Sequence, residues 1–203
     1  MNANAYHLYA SPRSPFARRI RLALRRLSIP HEEKLIDVFE ENPDFLEINP
    51  LGMVPTLVTP DAGTLCDSAN LLDYLHEKTG KIWPVDAASR IQAKQAAFLA
   101  YGLIQSTVLL FQETKMHETP SERWVKDHTE TLERTLLYLS KLPEILWLQE
   151  GALTQAAWDL AVGLDYLSLR FSQIKWKDRY LSLLSIFNLA RKDIHFLATE
   201  PKL

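Results

Sequence analysis

The stretch Ser11–Arg26, SPRSPFARRIRLALRR, decides how the rest of the chain is read. It follows a short apolar run, Tyr6–Ala10, whose bulk suits a strand, and Pro12 and Pro15 punctuate it. Pro15 fits the first turn of a helix, because the N–H it lacks has no intrahelical partner there. Behind it Ile20, Leu22, Ala23, Leu24 and Leu27 supply an apolar face, and Arg18, Arg19, Arg21, Arg25 and Arg26 a polar one. The spacing predicts a helix over Pro15–Ser28 with Ser14 as its N-cap, at the positive end of the helix dipole. A strand, a tight turn and a helix start together make a natural anion site, although serine also serves there as a plain cap.

Up to Ile82 the chain alternates strands with helices. Glu33–Val38 reads as a second strand, and Asn42-Pro43 opens a short helix with Phe45, Leu46 and Ile48 as its apolar positions. The loop Asn49–Pro55 (NPLGMVP) is followed by a strand over Thr56–Thr59, a turn at Asp61-Ala62-Gly63 and an antiparallel strand over Thr64–Cys66. Asp67 and Ser68 are the N-cap and first-turn residues of a helix that runs to Lys78, with Leu71, Leu72 and Leu75 at helical spacing. The order β-α-β-α-β-β-α defines a small α/β domain with a mixed sheet.

Gly80–Ala87 reads as a linker, and no strand pattern follows it. Ser89–Met116, Ser121–Leu142, Thr154–Phe171 and Lys177–Lys192 all carry helical periodicity, with breaks at His117–Pro120, at Pro143 and around Gly151. Two domains are therefore expected, residues 1–82 and an all-helical 88–203. Thr154 starts its helix without a reciprocal capping acid, since Ala157 stands three residues on and Asp159 comes two residues too late.

Composition narrows the function classes. The chain has 203 residues, 47% hydrophobic and 24% charged, and a formal net charge of −2, so nothing global favours nucleic acid or an anionic membrane. The opening residues MNANA lack the features of a secretory signal, and no apolar run reaches the ~20 residues of a spanning helix. Cys66 is the single cysteine, which removes disulfide frameworks and CxxC chemistry. No metal site is expected, because the six histidines are scattered. A cytoplasmic location is expected. The arginines of 18–26 spread around their helix and read as a solvated face, not a nucleic-acid stripe.

Several motifs, in order, resemble the cytosolic glutathione transferases. Ser14-Pro15-Phe16-Ala17 with Arg19, Arg21 and Leu22 is similar to the omega-class active-site turn, with Ser where that class has Cys. Arg19–Leu24 is also similar to a zeta-class helix that follows a catalytic Ser. Asn49–Leu57 resembles the loop that carries a cis proline in this family, here Pro55, and Asp67-Ser68-Ala69 resembles its acid–Ser pair. Leu164–Phe171 and Arg191–Pro201 resemble the final helix and tail of bacterial members.

The resemblance implies a thioredoxin-like N-terminal domain, an all-helical C-terminal domain, and glutathione as co-substrate with no metal. Ser14 would donate a hydrogen bond to the glutathione sulfur, with Ser11 as the second candidate. The Val54 backbone, exposed beside Pro55, would pair with the cysteinyl unit as an added strand does. Ser68 suits the γ-glutamyl carboxylate and Asp67 its amine. Phe16, Tyr101, Gln105 and Tyr166 are candidate walls for a small apolar electrophile. Where relatives bind the glycine carboxylate with Lys, Gln or His, this chain has Val38-Phe39-Glu40-Glu41-Asn42. Of these only Asn42 is a neutral donor, and the two glutamates oppose a carboxylate. The family also implies a homodimer. The rival expectation is a non-catalytic member that uses the fold as an interaction module.

Overall fold

The computed structural model describes residues 5–201. The chain divides into two compact units, one comprising the residues up to Ile82 together with those from Ile194 onward, the other Trp83–Asp193.

In the first unit β1 (Tyr6–Ala10) carries the buried residues His7 to Ala10 and lies inside a four-stranded sheet. The sheet order is β2-β1-β3-β4, where β2 is His31–Leu35, β3 Thr56–Thr59 and β4 Gly63–Cys66. Only the β1–β2 pairing is parallel. β2 sits two or three residues earlier than the sequence predicts. Its ladder matches Tyr6–Ala10 residue for residue, and the Ile36 N–H bonded to Ala10 O at 2.9 Å is the last link before the chain turns away. Where the partner strand ends, the edge strand ends too.

Helix α1 (Pro15–Arg26) crosses the sheet and buries Ala17, Ile20, Leu22, Ala23 and Leu24. It stops before Ser28, which takes φ +55° and lets the Ile29 N–H reach back to Leu24 O at 2.9 Å. The short helix α2 (Pro43–Ile48) precedes the proline loop. Helix α3 (Ser68–Thr79) packs on α1 through Leu71, Leu72 and Leu75, and Gly80 ends it at φ +67°. The Tyr74 hydroxyl donates to Asp61 Oδ1 at 2.6 Å and Lys78 pairs with the same carboxylate, so α3 is tied to the β3–β4 turn. These pieces form the thioredoxin-like arrangement that the sequence implied.

In the second unit the long helix α4 (Ala87–Met116) packs against α5 (Glu122–Leu139) and α6 (Gln155–Arg170). Gly163 on α6 faces α4. A Cβ there would lie 3.1 Å from Ile104 and 3.3 Å from Leu103. Two departures from the sequence reading occur here. Leu148–Gln149 (β5) and Ala152–Leu153 (β6) form a two-residue hairpin around Glu150 and Gly151, both at positive φ, where no strand was expected. The helix expected over Lys177–Lys192 breaks at Tyr180 into α7 (Trp176–Arg179) and α8 (Leu181–Ala190).

The final helix α9 (Ile194–Ala198) belongs to the first unit, whereas the sequence reading kept it with the helical half. Its anchor is Arg18 on α1, 178 residues away in the chain, which no local pattern reveals. No helix among the described residues is long and apolar enough to cross a membrane.

Candidate active site

Sheet register brings the candidate residues of the first unit to one edge. Tyr9 pairs with Thr56, and Thr56 with Cys66. Ser11, Val54 and Ser68 each lie two residues beyond those ladder positions, at the same end of the sheet. The turn after β1 therefore leads into α1 beside the proline loop and the start of α3.

Ser14 caps α1 with extended backbone, and its Oγ accepts the Ala17 N–H at 3.2 Å. The hydroxyl's own hydrogen has no acceptor among the described residues, so it points donor capacity outward from a helix N-terminus. Ser11 is buried at 5% exposure, and its carbonyl accepts the Ser14 N–H at 3.0 Å. The geometry thus distinguishes the two serines: Ser11 shapes the turn, and Ser14 is the half-buried hydroxyl at its mouth.

Asn49 organises the proline loop, a task that the sequence reading did not assign. Fully buried, it donates from Nδ2 to Met53 O and to Thr56 Oγ1, both at 2.9 Å, and its Oδ1 accepts the Leu51 N–H at 3.1 Å. Its amide group is thereby satisfied on both sides. The Val54–Pro55 bond is cis, and the Val54 N–H and C=O have no partner among the described residues. A free N–H and C=O just beyond the end of a strand can pair with an extended peptide-like ligand.

Asp67 takes φ +69° and caps α3, accepting the N–H groups of Ala69 at 2.8 Å and Asn70 at 3.2 Å. Ser68 follows at 1% exposure, and its Oγ receives Arg19 Nη1 at 2.6 Å. Arg19 is itself 2% exposed, so α1 delivers a buried cation to the start of α3. With one lone pair taken by Arg19, the Ser68 hydroxyl keeps its hydrogen for an incoming acceptor. The sequence placed Arg19 on a helix face but could not show this contact, which joins residues 49 apart.

The Asp37–Asn42 turn behaves differently from its expected role. Both hydrogens of the Asn42 amide are engaged inside the turn, to Asp37 O at 2.8 Å and Glu40 O at 2.7 Å. Arg13 pairs with Asp37 at 3.0 Å, and Lys34 lies 5.4 Å from the centroid of the Tyr9 ring. A groove of about 430 Å³ opens beside this turn, lined by Val38, Phe39, Phe45 and Leu46 with Glu40 and Glu41.

The remaining candidates fall in both units. Phe16 is half-buried in the first turn of α1. In the second unit Tyr101 is half-buried, Gln105 exposed and Tyr166 packed at 5% exposure, with burial pushing its phenol pKa up. Cys66 is half-buried, its Sγ 3.9 Å from the Thr56 hydroxyl. Among the described residues no group of three or more His, Cys, Asp or Glu side chains could hold a metal ion.

The first unit thus offers a serine hydroxyl at a helix start, a cis-proline loop with unpaired backbone groups and a capped helix with a buried arginine. Residues 8–82 match the family described as glutathione S-transferase, N-terminal domain. Over 130 residues the chain is 35% identical to glutathione S-transferase 1 of Dianthus caryophyllus, covering 60% of this chain and 58% of that relative. It is 32% identical, also over 130 residues, to a zeta-class glutathione S-transferase of Euphorbia esula, covering 60% and 57%. The matched stretch thus spans less than two thirds of the length of these curated relatives. Across 98% of this chain and 100% of the other, the fold superposes on a glutathione S-transferase from Methylobacillus flagellatus with glutathione bound, at a TM-score of 0.88 and 25% identity. Residues 8–82 thus carry the N-terminal domain of that family, and the chain as a whole is similar to glutathione transferases.

Proposed function

We propose that this protein binds glutathione, holds its thiol as the thiolate and directs it at a small electrophile. The observation that carries this reading is the Ser14 hydroxyl, which accepts from the Ala17 N–H and keeps its hydrogen free at the N-terminus of α1. A free thiol ionises at roughly 8.5. A hydrogen bond to a charged group contributes about 1.5–3 kcal/mol, equivalent to lowering that pKa by ~1–2 units. At pH 7 the thiolate then rises from about 3% to between about a quarter and three quarters of the bound thiol. Ser14 acts as the thiolate's donor and not as a nucleophile, since the thiolate supplies the attacking electron pair.

The Val54 backbone pairs with the cysteinyl unit, and the Ser68 N–H and hydroxyl take the γ-glutamyl carboxylate with Arg19 behind them. Asp67 faces the amine. The absence of a thiol at position 14 opposes mixed-disulfide chemistry. A cytoplasmic setting suits a chain with one cysteine. The second copy of a homodimer would cover part of α4, where Ile91 and Phe98 stand 71% and 65% exposed.

One observation favours a second reading, a non-catalytic interaction module. The turn where relatives carry a glycine-carboxylate cation holds Glu40 and Glu41, and the Asn42 amide is engaged internally. Calorimetric titration with glutathione separates the two. Binding in the micromolar to low-millimolar range supports the transferase, and no heat up to ~10 mM, weaker than about −3 kcal/mol, leaves the module.

A further inference from the structure

Arg18 stands one turn after Ser14 on α1 and is 3% exposed. It reaches the end of the chain. Nη2 donates to Phe196 O at 3.1 Å and Nε to Thr199 Oγ1 at 3.4 Å. The guanidinium carbon lies 4.2 Å from the centroid of the Phe196 ring. Phe196 and Thr199 are themselves fully buried, and the Thr199 hydroxyl turns back to His195 O at 3.0 Å, which closes α9 on itself. Planar cation, ring and carbonyl acceptor match the geometry for which arginine differs from lysine.

The backbone of the same residue holds Ser14. The Arg18 N–H donates to Ser14 O at 3.0 Å, next to the Ala17 N–H that donates to Ser14 Oγ. A helix start is the segment of a helix most prone to fray, because its first N–H groups have no intrahelical partner. Pinning the fourth helical residue to a buried C-terminal segment restrains the turn that presents the hydroxyl. We propose that Arg18 is a positioning residue: the α9 segment, latched through Arg18, fixes the place of the Ser14 hydroxyl against the bound thiolate. This rests on the transferase reading for its effect on the thiol, but the latch itself does not.

The test uses the full chain with Arg18→Met, which keeps the stem and removes the donors, Arg18→Lys, and Thr199→Val, which removes the acceptor from the other side. Hydrogen exchange of the Ala17 and Arg18 amides is followed without ligand, and the ionisation of bound glutathione is followed by thiolate ultraviolet absorbance against pH. The expected result is faster exchange at both amides in Arg18→Met and Thr199→Val. It comes with a rise of about half a unit in the bound thiol pKa, a roughly threefold loss in the ionisation constant. Glutathione affinity stays near wild type, and Arg18→Lys recovers part of the shift.

Unchanged exchange in folded variants overturns the latch. Faster exchange with an unmoved thiol pKa overturns the positioning role. If Arg18→Met fails to fold, Thr199→Val alone decides, because it leaves the arginine and both chain segments in place. If wild type binds no glutathione, the transferase reading fails, and the exchange arm still decides whether α9 restrains the Ser14 turn.

Discussion

On the proposed reading Ser14 has two separable jobs, and substitution should reveal both. As an N-cap it accepts the Ala17 N–H, so Ser14→Ala should lower stability by about 1 kcal/mol in thermal or urea unfolding. As a donor to bound thiolate it contributes about 1.5–3 kcal/mol, so the same variant should bind glutathione while its thiol pKa returns toward roughly 8.5. Turnover at neutral pH should fall about 10–100-fold. A variant that loses stability but keeps the low thiol pKa would leave Ser14 as a cap only. Ser68→Ala tests the other end of the ligand. It removes the acceptor that Arg19 reaches at 2.6 Å and the hydroxyl donor offered to a carboxylate. Calorimetry should show glutathione affinity reduced about tenfold, with the bound thiol pKa hardly moved, because binding and ionisation use different groups. If affinity is unchanged, the γ-glutamyl carboxylate does not sit at Ser68.

Helix α6 owes its place to Gly163, and this is where an element-scale substitution bites. Replacing glycine by alanine in a helix interior ordinarily stabilises it by about 0.8–1 kcal/mol. Here the new methyl would press on Ile104 and Leu103, both fully buried, at 3.1 and 3.3 Å. Overpacking costs about 1–3 kcal/mol, so Gly163→Ala should be net destabilising by about 1 kcal/mol, read from urea unfolding. A stabilised variant would mean that α4 and α6 separate easily. The same elements show what was legible beforehand. Ser-Pro at 14–15, Asp-Ser at 67–68 and the alternating order of the first unit are local signals, and the structure has those elements. Unread features depend on distant partners. β2 is bounded by Ala10 across the sheet, Arg19 meets Ser68, and α9 is held by Arg18. Asn49 reads in sequence only as part of a loop, and its bonds to Met53 and Thr56 exist only once the loop has folded back. The β5–β6 hairpin is two residues per strand, too short for alternation to register.

At the scale of the molecule, two measurable properties follow from surfaces and charges. The exposed Ile91 and Phe98 on α4 support self-association, so sedimentation at micromolar concentration should give about twice the 23.3 kDa of one chain. Ile91→Glu with Phe98→Glu should return it to the single mass, and a wild-type monomer would remove the dimer. Acid sensitivity is the second property. Glu33 on the edge strand β2 lies beside His31 Nε2 at 3.6 Å, Arg21 Nε at 3.0 Å and Arg25 Nη2 at 3.6 Å. The neighbouring His31 ring, followed by the Arg21 and Arg25 charges, lowers its pKa from 4.5 to about 2, against the opposing effect of burial. Because the folded state holds this proton less readily than the unfolded one, the stabilisation is complete above about 4.5 and is lost as pH falls toward about 2. The carboxylate side chain is 18% exposed, so the shift amounts to about 3 kcal/mol at most. About 2 kcal/mol of that should disappear between roughly pH 6 and pH 3. Urea unfolding of wild type and Glu33→Gln across that range isolates the effect. The advantage of wild type over the glutamine variant should shrink steadily with acid, as the Glu33 carboxylate takes up its proton. Parallel stability curves for the two proteins would show that Glu33 is solvated like any surface carboxylate, and that α1 and β2 are joined by packing alone.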